Sequence, residues 1–178
     1  MILTCHGAFD SRDDRTNGVS KLTDRIRGMG VSDDDPREYD IGNPITFSDY
    51  DLLAEPNVWI GYSNGADYVY SRYLELLTAT EDPSVTTVQA HFIFLDFVYR
   101  GVRQVFDRAP LALPSCVQSC LCLYRTREVG IVPPFHTLIS RQDGDRFRNV
   151  PVDADHGNLP GAEEAQSKVC ERISEIFA

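Results

Sequence analysis

No stretch of this chain is long and apolar enough to suggest a membrane span; the strongest candidate, Phe92-Ile93-Phe94-Leu95, stops at Asp96. The opening run Ile2-Leu3-Thr4-Cys5 has neither the basic flank nor the length of a secretion signal. Basic residues are outnumbered, 17 Lys+Arg against 27 Asp+Glu, and no Lys/Arg cluster offsets the formal net charge of −10. A surface of that sign repels phosphate backbones and anionic headgroups, so no nucleic acid and no membrane insertion are expected. Cysteines number only five, an odd count without secretory context, which fits free thiols in a reducing compartment better than a disulfide framework. The expected location is cytoplasmic. Internal repeats, low-complexity tracts and linkers are also missing. So are G-x-G-x-x-G and G-x-x-x-x-G-K-[ST], which leaves a flavodoxin-like or nucleotide-binding reading without its fingerprints.

What is present is one domain's worth of globular sequence, residues 1–178, with 42% hydrophobic and 25% charged residues. Short apolar runs alternate with helical patterns, the signature of a parallel sheet covered on both faces. Strands are expected at 2–5, 58–60, 85–95, 119–124 and 150–152, with a weaker edge strand at 38–41. Helical spacing runs through Val19, Leu22, Ile26 and Met29, ending at Gly28 and Gly30. It returns through Ala66, Val69, Tyr70, Tyr73, Leu74 and Leu77, and again through Ala165, Val169, Ile173 and Ile176. A shorter helix is expected within 47–55, and a hairpin-like excursion within 135–145 with its turn at Asp143-Gly144. About six mostly parallel strands and about four helices fit the length.

Gly61-Tyr62-Ser63-Asn64-Gly65 matches G-x-S-x-G, follows an apolar strand and opens a long amphipathic helix. That is the strand–turn–helix setting of a nucleophile elbow, in which the glycines permit a turn sharp enough to expose the serine oxygen. The helix start offers unpaired N–H groups, Asn64 first, to a developing oxyanion. The plain alternative is an ordinary glycine-rich turn. Four histidines are available as a base: His6, His91, His136 and His156. His91 falls inside a buried strand and His136 after Pro133-Pro134-Phe135, whereas His156 lies between the last strand and the last helix. Two carboxylates compete as the acid. Asp96 closes Phe92-Ile93-Phe94-Leu95, and Glu128 follows the 119–124 strand among Arg125, Arg127 and open loop. Either gives the chain order Ser, acid, His.

Other candidate sites are weaker. Cys116, Cys120 and Cys122 lack the second ligand pair of a zinc site and read as small buried hydrophobes, and Asp33-Asp34-Asp35 lacks calcium-loop spacing. No metal is expected.

Together His6-Gly7, the elbow, Leu95-Asp96-Phe97-Val98 and His156-Gly157 resemble a minimal α/β-hydrolase, similar to compact lidless esterases, cutinase-like enzymes and short phage or bacterial hydrolases. The resemblance implies a three-layer α/β-hydrolase-like fold without a cap domain and without the two leading antiparallel strands of larger members. It implies an oxyanion donor after the first strand, at Ala8 or Phe9, with His6 either heading that loop or simply packing it. It also places the base at His156 and makes Glu128 the more usual position for the acid. The implied activity is that of a serine esterase with no cofactor, cleaving a small or surface-presented carboxylic ester or thioester through an acyl-enzyme on Ser63. Tyr62 and Phe9 would line the substrate. The alternative is a non-catalytic interaction protein that keeps the fold.

Overall fold

The computed structural model describes residues 1–8, 13–14, 16–46, 56–79, 89–98, 110–127 and 137–178. Six strands among them form one sheet: β1 (Ile2–Cys5), β2 (Arg37–Tyr39), β3 (Asn57–Tyr62), β4 (Ala90–Leu95), β5 (Val117–Arg125) and β6 (Phe147–Val152). Their order is β2-β1-β3-β4-β5-β6, and every pairing is parallel. Parallel order points all six carboxyl ends the same way, so the loops after β1, β3, β4 and β6 converge on one edge.

Among the described residues three α-helices cover the sheet: α1 (Gly18–Met29), α2 (Asn64–Ala79) and α3 (Glu163–Phe177). Asn17 starts α1 by accepting the Ser20 N–H at 2.8 Å. Gly30 ends it at φ 62, a left-handed cap that costs glycine nothing. The expected helix at 47–55 lies outside the described residues.

Alternation along the strands sorts the core into two layers of different character. Trp59, Phe92 and Phe94 face α2, meeting Tyr70 and Tyr73 edge-on with ring centroids 5.2–6.3 Å apart. Val58, Ile60, Ile93, Leu121 and Leu123 face the other way, onto Leu22 and Ile26 of α1 and Val169 and Ile173 of α3. Burial on both faces explains why the central strands read as continuous apolar runs.

The strand bounds differ from the expected ones in physically sensible places. β4 pairs only from Ala90 rather than from 85; residues 80–88 lie outside the described set. β6 begins at Phe147, because an edge strand tolerates polar Arg148 and Asn149 that break the apolar pattern. The turn at Asp143-Gly144 is present, with Gly144 at φ 52, but it leads into β6 through a single antiparallel bridge between Asp143 and Phe147. No helix among the described residues is long and apolar enough to cross a membrane.

Candidate active site

Ser63 is the residue at which β3 becomes α2, and its φ of 54 is left-handed for a residue with a Cβ. Packing dictates that turn. A Cβ on Gly61 would fall 2.6 Å from the Ala66 nitrogen, and one on Gly65 would fall 2.7 Å from the Cys5 carbonyl oxygen. Both glycines of the motif are therefore required by close approach: Gly61 to the helix it feeds, Gly65 to the chain leaving β1. The Ser63 N–H donates to the Leu95 carbonyl at 2.8 Å and the Val98 N–H donates to the Ser63 carbonyl at 3.3 Å, fixing the elbow against the end of β4.

The loop after β1 lies beside this serine. A Cβ on Gly7 would sit 3.1 Å from the Ser63 Cβ. The amides of Ala8 and Asn64, the latter opening α2, donate no hydrogen bond within the described residues. Phe9, the other expected donor and substrate residue, lies outside the described residues. His6 is fully buried; its Nε2–H donates to Glu38 Oε1 at 2.7 Å, and the Ser20 hydroxyl donates to the same oxygen at 2.6 Å. It holds the loop in place.

Asp96 immediately follows β4, at φ 46, and is fully buried. His156 Nδ1 lies 2.5 Å from Asp96 Oδ2. An ionised carboxylate only accepts, so in that state Nδ1 donates the proton, and a neutral imidazole then has its lone pair on Nε2. The loop that presents His156 is shaped by Asp155, whose carboxylate accepts from the Asn158 N–H at 3.0 Å and from Nδ2 at 2.8 Å. Those bonds hold the Asp155 carboxyl below its ordinary range. Tyr62, expected to line substrate, is buried instead beneath this loop: its hydroxyl donates to the His156 carbonyl at 2.7 Å, and its ring centroid is 5.2 Å from the imidazole.

No protein-family model matches the chain, and no curated protein matches it in sequence.

The structure thus brings Ser63, Asp96, His156, Asn64 and Ala8 to one sheet edge. Glu128 and His136, the competing acid and base, lie outside the described residues. His91 sits at the opposite end of β4 with Nδ1 2.8 Å from the Ser119 hydroxyl, a satisfied strand histidine. Cys120 and Cys122 are buried in the aromatic layer, where burial raises both thiols, Cys122 to about 12. Among the described residues no three His, Cys, Asp or Glu side chains gather as metal ligands.

Another residue also departs from what the sequence suggested. Arg125, assigned there to open loop beside Glu128, is the buried last residue of β5, with Nη1 2.5 Å from the same Asp96 Oδ2 that receives His156. The available signal was a cation closing the apolar run Cys120-Leu121-Cys122-Leu123-Tyr124, the mirror of Asp96 closing its own run.

Proposed function

We propose that this protein is a serine hydrolase of the α/β-hydrolase type, acting on small or surface-presented carboxylic esters or thioesters. The observation that carries the reading is the Asp96–His156 pair, 2.5 Å long, on the same sheet edge as the left-handed Ser63. Three separate elements supply the three side chains, and each of the two strand-end residues, Ser63 and Asp96, holds a backbone conformation costing about 1–3 kcal/mol that packing must offset. Strain at both positions is what a working site retains and a bare scaffold has no reason to keep.

In the reaction, His156 Nε2 takes the Ser63 hydroxyl proton as Oγ attacks the ester carbonyl carbon. The carbonyl electrons move to oxygen, which the amides of Asn64 and Ala8 stabilise. Collapse breaks the bond to the alcohol or thiol, which leaves with the proton from His156. Water, deprotonated in turn by His156, attacks the acyl-enzyme, and the acid product departs as Ser63 regains its proton. The β4–β5 connection, residues 96–116, is short for a cap domain, which favours small or surface-presented substrates.

A fluorophosphonate probe tests the proposal directly. Covalent labelling on Ser63, abolished in Ser63→Ala, is the expected result. A folded protein that resists labelling would leave the non-catalytic reading of the same fold.

A further inference from the structure

Asp96 is the acid of the proposed reaction and has no exposure to water, a setting in which an isolated carboxylate is costly to keep ionised. Its Oδ2 receives two donors, His156 Nδ1 and Arg125 Nη1, each at 2.5 Å. Its Oδ1 is buried and has no hydrogen-bond partner among the described residues. The guanidinium is therefore the only full positive charge bonded to this carboxylate among the described residues, and the Arg125 side chain is itself only 3% exposed. Burial disfavours the charged form of a carboxylate, and a neutral imidazole offsets that cost less than a cation does. Protonated, the carboxyl would donate to Nδ1, the imidazole would carry its own proton on Nε2, and that nitrogen would have no lone pair to offer Ser63.

We infer that Arg125 is a positioning residue that acts through Asp96: it keeps the carboxylate ionised and accepting, and so keeps the His156 proton on Nδ1 and the Nε2 lone pair free to act as a base. This rests on the hydrolase reading for its consequence, though the imidazole tautomer it sets can be observed without any turnover. Arg125 reaches no substrate atom in this role. A bidentate guanidinium is not required, since a single Nη1 makes the bond, but a cation at this position is.

The test is 15N NMR of His156 combined with kinetics on one aryl ester. Wild type should show the proton on Nδ1. Arg125→Leu should move it to Nε2 and lower kcat on the order of tenfold to a hundredfold with KM unchanged, the range seen when a group that orients a metal-ligating side chain from behind is removed. Arg125→Lys, which keeps the charge, should keep the Nδ1 proton and restore most of kcat. If Arg125→Leu does not fold, the Asp96→Asn background decides, because it has no buried carboxylate to neutralise. There Arg125→Leu should leave the slow probe-labelling rate unchanged, and a further large loss would make Arg125 merely structural. A folded Arg125→Leu variant with wild-type tautomer and kcat would overturn the inference. Failure of wild-type Ser63 to react with the probe would overturn the hydrolase reading instead, while the tautomer measurement would still judge Arg125.

Discussion

His6 and His156 each follow a parallel strand on the same sheet edge, and each donates a ring N–H to a carboxylate. Their surroundings differ in what becomes of the second nitrogen. His6 gives Nε2 to Glu38 and is sealed: its exposure is zero, and its Nδ1 is buried with no partner among the described residues. His156 gives Nδ1 to Asp96, keeps 16% of its side chain exposed, and has Nε2 left over at the edge where Ser63 sits. A carboxylate partner is thus common to both, and access of the remaining nitrogen separates a base from a bracket. Glu38 and Asp96 differ in the same sense. Glu38 shares its oxygen with the neutral hydroxyl of Ser20, whereas Asp96 shares its oxygen with a buried guanidinium.

Changes on the His156 side should carry the largest effects. Ser63→Ala should lower turnover by about a millionfold, as losing a nucleophile does elsewhere, with an unchanged circular dichroism spectrum. Asp96→Asn follows at about ten-thousandfold, because an amide no longer dictates which nitrogen of His156 holds the proton. Glu128→Gln, assayed on the same ester at a pH where histidine is neutral, should have a mild effect. If Glu128→Gln is the crippled variant, Asp96 becomes a strand-end structural residue and the contrast between the two histidines loses its basis.

The His6 side should respond in stability. Glu38→Ala leaves the His6 Nε2–H and the Ser20 hydroxyl without their shared acceptor in a buried place, at a cost of about 1–3 kcal/mol in urea unfolding. Turnover per folded molecule should fall by about tenfold or less, since the loop carrying Ala8 loosens but no reacting group is lost. A collapse of turnover comparable to Asp96→Asn, with stability unaffected, would mean that His6 takes part in proton transfer.

These contrasts also mark which parts of the molecule could be read without coordinates. The elbow was legible because its constraints are local: Gly61 and Gly65 are dictated by atoms within a few residues or by the adjoining strand, and the helix stripe begins at once after them. Asp96 was legible as a carboxylate ending an apolar run, a local oddity that calls for a partner. Which partner was not, because strand order is a tertiary property. That β5 lies beside β4, and that Arg125 emerges one residue beyond the level of Asp96, follows from pairings such as Leu95 with Leu123. The same limit made Tyr62 look like a pocket residue. Its position before the serine is plain in sequence, but the His156 carbonyl that captures its hydroxyl lies 94 residues away. Edge strand β6 was shortened for the opposite reason, since pairing on one side lets polar residues into a strand and hides its start.

A third histidine sharpens the comparison through pH. His91, bonded to Ser119, has its pKa pushed down to about 4, first by burial and then by the nearby Arg172. In the unfolded chain the same side chain titrates near its ordinary value of about 6.5. Between those values the unfolded state binds a proton that the folded state refuses, so stability falls as the pH drops from about 6.5 to about 4 and levels off below. His91 is partly exposed, so its share amounts to about 1 kcal/mol or less. His91→Gln keeps a hydrogen-bonding group for Ser119 without the titration, and the gap between its urea midpoint and that of wild type should change across that window and stay flat above pH 7. Parallel curves for the two proteins would mean that His91 takes up its proton while folded, with Ser119 and Arg172 tolerating the charge. Esterase activity should be the same in both, because this histidine faces the amino end of the sheet, the full length of β4 away from Ser63.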